Sequence, residues 1–174
     1  AYARDVLDSA ERFKPDAIVT SEMLLGVMAA AESKGIPCVV VSPNIYLFPL
    51  PGVPPFGPGF QPLGGPIGRL RDWIVRTMAL RTFGRGTDHF NAFRRELGLP
   101  PLSHPFDQLA HTARHLVMTS PAFDFTATSL PPNVIYTGPQ LEDPDWVAPW
   151  QSPWPSNDTR PLVLVGFSTT FQNQ

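Results

Sequence analysis

The sequence predicts an α/β domain in which helices flank a parallel β-sheet. Residues 17–20 and 36–41 are short, continuously apolar runs, and residues 22–34 between them carry apolar side chains at helical spacing. A strand, a helix and a second strand in that order form the crossover unit of a parallel sheet. Strands that are apolar throughout are typical of a sheet covered on both faces. Gly35 stands where a helix commonly ends in a left-handed residue.

The remaining segments extend this pattern. An amphipathic helix opens the chain and ends before Pro15, which cannot continue it. Two further helices are predicted from apolar residues at helical spacing, which are Ile67, Leu70, Ile74 and Met78 in one and Phe90, Phe93 and Leu97 in the other. Residues 115–119, 133–137 and 162–167 predict three more strands.

Two proline-rich segments suggest how the chain is organised into domains. It makes up 22 of the 174 residues, well above the usual share of about 5%. Residues 43–66 hold eight prolines and five glycines, and residues 139–161 hold six prolines. We expect a first domain over residues 1–137, a linker over residues 138–160 and the beginning of a second domain over residues 161–174. Because the chain opens in a helix and stops soon after a strand, we also expect an internal piece of a longer protein.

The composition excludes several classes of function. Lys and Arg number 13 against 15 Asp and Glu, so the net charge is −2 and no basic patch is available for nucleic acid or an anionic membrane. No apolar run is long enough for a membrane-spanning helix, and no secretion signal is visible. The single cysteine, Cys38, cannot form an intramolecular disulfide. We predict a cytoplasmic protein without stable membrane insertion, and the pattern gives no indication of its oligomeric state.

Seven short motifs occur in an order that is familiar from one enzyme family. They are PDAIVT at 15–20, GIP at 35–37, SPN at 42–44, LGLPP at 97–101, LPPNV at 130–134, YTGPQ at 136–140 and VGFSTT at 165–170. Together they resemble family 1 glycosyltransferases of the GT-B fold, and among them the macrolide-type enzymes that glycosylate small natural products. The resemblance extends over nearly the whole chain.

The resemblance implies a fold and a reaction. Residues 1–137 would be a Rossmann-like acceptor-binding domain that lacks its start, and residues 161–174 would begin the nucleotide-sugar-binding domain. The enzyme would move a sugar from a UDP- or dTDP-linked donor to a hydroxyl of a small, largely apolar acceptor. The reaction would invert the anomeric centre and need no cofactor or metal. The alternatives are a non-catalytic domain that binds small molecules and another GT-B enzyme, such as a sugar-nucleotide epimerase.

The proline-rich segment at residues 43–66 predicts a binding loop. Its apolar side chains need cover, so they either line a cavity or fold onto their own domain. The resemblance implies acceptor binding, for which the candidate residues are Asn44, Tyr46, Phe48, Phe56 and Phe60. Proline restricts the loop and so favours a prepared binding site.

The hydroxyl side chains near the C-terminal end predict a phosphate site. Ser168, Thr169 and Thr170 follow the strand predicted at residues 162–167, where hydroxyl and backbone N–H groups can meet a phosphate. The resemblance implies contact with the donor diphosphate, with Thr169 at the best-matching position. The other interpretation is that these residues cap the next helix.

Ser21 and Glu22 follow the first predicted strand, where the family often has an acid that orients a catalytic histidine from an earlier loop. Here either residue could take that role, or the role could be absent. The alternative is structural, with Ser21 as a helix N-cap and Glu22 as an acid in the first turn. Two other pairs do not predict a site. His111 and His115 lack the zincin glutamate, and His104 with Asp107 has no nucleophile motif nearby.

Overall fold

The computed structural model describes residues 2–125, 127–142, 145–149, 151–155, 157, 159–161 and 163. The chain divides into two compact units, Ala1–Gln140 and Leu141–Gln174. The elements described below all belong to the first unit. The predicted strand at residues 162–167 lies almost wholly outside the described residues.

A parallel β-sheet forms the centre of the first unit. In the described part of the chain it has four strands, β1 (Ile18–Ser21), β2 (Cys38–Ser42), β3 (Arg114–Val117) and β4 (Val134–Tyr136), in the order β1-β2-β3-β4. Every neighbouring pair is parallel. The predicted α/β fold with a parallel sheet is confirmed, and each of these strands lies within one or two residues of its predicted position.

The helices follow the predicted order. They are α1 (Tyr2–Phe13), α2 (Leu25–Ser33), α3 (Gly65–Gly84) and α4 (Thr87–Glu96), and a 3-10 helix (Pro105–His111) precedes β3. Gly35 has a φ of 65° just after α2, so it ends that helix as expected. The start of α2 is a correction. The chain first makes a turn in which the Leu24 N–H donates to the Ser21 carbonyl (3.1 Å), so the helix begins at Leu25 rather than at residue 22.

The hydrophobic core lies between the sheet, α2 and the loop that follows β2. Its buried members are Met28, Ala31, Cys38, Val40, Tyr46, Phe48, Leu50, Leu109, Val117 and Val134. The loop contributes Tyr46, Phe48 and Leu50, so its first part packs against the sheet. Burial raises the pKa of the Cys38 thiol to about 11, which keeps this cysteine protonated and unreactive.

Helix α3 turns its apolar stripe outward. Ile67, Leu70 and Met78 are exposed, and Gly68 is the buried residue of this fully described helix. A Cβ added at Gly68 would lie 1.8 Å from the carbonyl oxygen of Leu63, so only glycine allows the helix to pack here. No helix in the described residues is long and apolar enough to cross a membrane.

A buried arginine joins three helices. Arg94 of α4 is fully buried, and its Nε donates to the carbonyl of Pro100 (2.8 Å). Its guanidinium also donates to the Glu32 carboxylate of α2 (2.8 and 3.3 Å) and to the Gln108 side-chain oxygen in the 3-10 helix. Gln108 donates to the same carboxylate (2.9 Å), and His111 Nδ1 lies 3.0 Å from it. This network holds α4 against the rest of the unit.

Candidate functional site

The loop after β2 starts at the carboxyl end of the sheet and folds back over one face. Tyr46 lies against His115 of β3 with ring centroids 5.2 Å apart, and Phe48 packs edge-on against Phe106 at 4.9 Å. Burial raises the pKa of the Tyr46 phenol to about 12, so this side chain is an uncharged part of the wall. The core thereby anchors the first part of the loop.

The second part of the loop encloses a cavity of about 270 Å³. Its lining includes Tyr46, Phe48, Phe56 and Phe60, so the fold brings four of the five predicted acceptor residues together. Phe56 is 63% exposed while Tyr46 and Phe48 are buried, so the lining has an inner and an outer side. The guanidinium of Arg71 lies over the Phe60 ring, 4.6 Å from its centroid, and holds this ring in place.

The fifth predicted residue, Asn44, lies on a neighbouring depression. This depression has a volume of about 420 Å³ and is lined by Asn44, Phe56, Thr119 and Phe123 among others. Phe56 belongs to both linings. Asn44 is therefore beside the aromatic cavity rather than in its wall.

Sequence reasoning missed Asp124, a carboxylate in the wall of the aromatic cavity. Its Oδ2 accepts from the Tyr46 backbone N–H (3.1 Å) and from the Tyr136 hydroxyl (2.8 Å). Burial, together with the hydrogen bond to and the charge of Asp124, raises the pKa of the Tyr136 phenol. Asp124 thus ties the loop to the end of β4. The only signal in the sequence was a lone acid in the loop between two predicted strands.

Ser21 and Glu22 lie together where β1 ends. The Ser21 hydroxyl donates weakly to Glu22 Oε2 (3.3 Å), and Glu22 is 5% exposed. The interpretation of Ser21 as the N-cap of α2 is wrong, because Leu24 holds that position without a side-chain cap. Glu22 is likewise not an acid of the first helical turn, because it precedes the helix. A histidine-orienting role for either residue stays a prediction.

The face of the sheet beneath the loop carries a buried histidine. His115 Nε2 lies 2.7 Å from the Ser42 hydroxyl, and its Nδ1 has no hydrogen-bond partner among the described residues. Burial lowers the pKa of His115, while the charge of Glu22 acts in the opposite direction. His115 also lines a second cavity of about 370 Å³ that shares Tyr46 and Phe48 with the first. His115 is therefore a buried histidine of the sheet.

The pair of His104 and Asp107, which the sequence also raised, has a structural role. The backbone N–H of His104 donates to Asp107 (2.8 Å), and His104 Nδ1 accepts from the Phe106 N–H (3.1 Å), which caps the 3-10 helix. Since Nδ1 accepts, Nε2 carries the proton that points to the Leu80 carbonyl (3.0 Å). Within the residues that the structure covers, no three His, Cys, Asp or Glu side chains are grouped as metal ligands would be. Ser168, Thr169 and Thr170 lie outside the described residues, so the diphosphate site stays a prediction.

A helix-flanked parallel sheet with an aromatic cavity beyond the end of β2 is consistent with a Rossmann-like half of a GT-B fold. The chain is similar to 4'-demethylrebeccamycin synthase of Lentzea aerocolonigenes, with 31% identity over 168 residues. The aligned region covers 92% of this chain and 39% of that protein, so the chain spans well under half of its relative's length. This match supports the resemblance of the chain to GT-B glycosyltransferases. No family model matches the chain.

Proposed function

We propose that the intact protein is a glycosyltransferase that moves a sugar from a UDP- or dTDP-linked donor to a hydroxyl of a small, largely apolar acceptor. The observation that carries the acceptor assignment is the aromatic cavity at the carboxyl end of β2. Ligands of open α/β sheets bind beyond the carboxyl ends of the strands. The similarity to 4'-demethylrebeccamycin synthase supports sugar transfer to a small molecule.

The loop is suited to acceptor binding because its shape is set before a ligand arrives. Tyr46 and Phe48 are part of the core, and proline restricts the backbone beyond them. A loop that is already ordered loses little conformational entropy on binding, so more of the contact energy contributes to affinity. Aromatic walls favour a flat or apolar acceptor.

The proposed chemistry needs a base, a residue that positions this base and a site for the donor diphosphate. We propose that a histidine base from another part of the protein removes the acceptor proton while the sugar is displaced with inversion, without a metal. Glu22, or Ser21 more weakly, would position that histidine, and a carboxylate suits this role because it stabilises the imidazolium that forms. Ser168, Thr169 and Thr170 would bind the donor diphosphate, where hydroxyl and N–H groups stabilise the leaving-group charge.

The test is steady-state kinetics of the intact protein with UDP-glucose and dTDP-glucose against a panel of aromatic alcohols, with product detected by mass spectrometry. Phe56→Ala should raise the acceptor KM about 5- to 30-fold, because it removes roughly 1–2 kcal/mol of apolar contact, and leave the donor KM unchanged. Phe13→Ala is the matched control, since Phe13 is 67% exposed on α1 and outside the cavity lining. Equal losses for acceptor and donor would refute the acceptor site. Acceptor binding without transfer from either donor would favour the non-catalytic alternative.

A further inference from the structure

The aromatic cavity has one negatively charged group in an apolar wall. Its described lining residues are Ile, Leu, Val, Pro, Gly, Tyr and Phe together with Gln61 and Asp124. Among them, Asp124 is the one carboxylate, and Tyr46 is the other ionisable side chain. Because the pKa of Tyr46 is raised to about 12, Tyr46 stays uncharged near neutral pH. Asp124 therefore dominates the electrostatics of this wall.

The Asp124 carboxylate is held by three hydrogen bonds and still has a free acceptor position. Its Oδ2 accepts from Tyr46 N–H (3.1 Å) and the Tyr136 hydroxyl (2.8 Å), and its Oδ1 accepts from the Phe125 N–H (2.7 Å). A carboxylate offers about four acceptor positions, so one position on Oδ1 remains for a donor. A ligand can use it without breaking an existing bond.

The rings around the cavity favour the same kind of ligand. Tyr46, Phe48 and Phe56 line it together, and an aromatic face attracts a cation through its quadrupole, while the Phe60 ring already stacks with Arg71. The nearby cation, Arg71, does not cancel this preference, because its guanidinium is paired with the Asp72 carboxylate at 2.8 Å. Several aromatic rings beside a carboxylate are the chemistry that recognises alkylammonium groups.

We propose that Asp124 determines acceptor specificity by selecting aromatic molecules that carry a protonated amine. A hydroxyl donor binds the same position more weakly, and an anionic acceptor is rejected by charge repulsion. This proposal rests on the assignment of the cavity as the acceptor site. Asp124 acts on which molecule binds and takes no part in proton transfer.

Three naphthalene probes test the proposal on the intact protein without any sugar donor. They are 2-(1-naphthyl)ethylammonium, 2-(1-naphthyl)ethanol and the carboxylate anion of 1-naphthaleneacetic acid. The fluorescence of the naphthalene ring reports binding. We expect the ammonium probe to bind about tenfold more tightly than the alcohol, and the carboxylate to bind most weakly. Asp124→Asn should remove the ammonium advantage and improve carboxylate binding. Asp16→Asn, at an exposed aspartate outside the cavity, should preserve the wild-type order.

Tyr136→Phe separates charge from loop anchoring, because it deletes one hydrogen bond to Asp124 and keeps the carboxylate. The order of the three probes should survive in this variant. The proposal is overturned if the wild-type protein does not discriminate by charge, if Asp124→Asn keeps the original order, or if that variant weakens all three probes equally. A protein that ranks the probes as expected but transfers no sugar retains this site and loses the proposed reaction.

Discussion

Replacing Arg94 with Met should strongly destabilise the first unit. Methionine has a similar length but no donors, so the Pro100 carbonyl, the Gln108 side chain and the Glu32 carboxylate each lose a partner. Removing one member of a buried ion pair costs about 3–5 kcal/mol. The Glu32 side chain is 18% exposed and keeps bonds to Gln108 and His111, so water and these partners compensate in part. We therefore expect a loss of about 3 kcal/mol, the lower end of that range.

Hydrogen exchange of the intact protein measures this loss locally, through the free energy of opening in peptides from α2 and α4. Arg95→Met is the matched control, because Arg95 is the next residue and is exposed, and surface changes usually stay within about 0.5 kcal/mol. A double variant, Arg94→Met with Glu32→Met, should recover part of the stability because no buried charge is left unpaired. If Arg94→Met loses less than about 1 kcal/mol, the role of the network is refuted, because removing an arginine from a solvent-exposed ion pair costs no more than that.

Three more predictions concern substitutions of single residues. Burial alone would raise the pKa of Glu32, but the hydrogen bonds and charges of its partners outweigh burial and hold it below its usual value. A carboxyl with a lowered pKa stabilises the fold above about pH 4.3, the unfolded value, and loses this effect as the pH falls further. Glu32→Gln should therefore flatten the acid limb of stability against pH in urea unfolding. Phe48→Ala should lower the free energy of unfolding by about 3–5 kcal/mol, because Phe48 is a core residue. Thermal unfolding measures this loss, with the Phe56→Ala variant for comparison. Thr169→Val should lower kcat/KM for the donor by about ten- to a hundredfold with little change in Tm, whereas a drop in Tm alone would make Thr169 a helix cap.

Much of the fold was predictable because the local sequence of each strand indicates a strand. β-Branched and apolar runs between turn residues gave β1 to β4 to within one or two residues. The direction in which α3 faces was not predictable. Its apolar stripe predicts a helix but does not show which side is covered, and in the structure the buried residue is Gly68, next to the Leu63 carbonyl. Likewise, the turn from Ser21 to Leu24 displaced the start of α2, since a serine and an acid before an apolar run suit either a turn or a helix N-terminus.

The candidate site was predictable in its aromatic part and not in its charged part. Apolar side chains on a proline-rich loop require cover, and the family resemblance assigned Tyr46, Phe48, Phe56 and Phe60 among them to an acceptor site. Asp124 gives no such signal, because its partners lie 78 residues away in sequence at Tyr46 and 12 residues away at Tyr136. Only the folded chain brings these groups together.

The loop after β2 has a part anchored in the core and an outer part, and this difference affects how acceptor preference can change. Its first part, through Leu50, is anchored in the core, so substitutions there affect stability before they affect selectivity. Phe56 and Gln61 line the same cavity and are exposed, whereas Pro54 and Pro55 are buried and Gly57 and Gly59 have positive φ. The two exposed positions can therefore vary while the loop and the sheet keep their shape. A library built to alter acceptor range should randomise Phe56 and Gln61 and keep Tyr46 and Phe48 fixed.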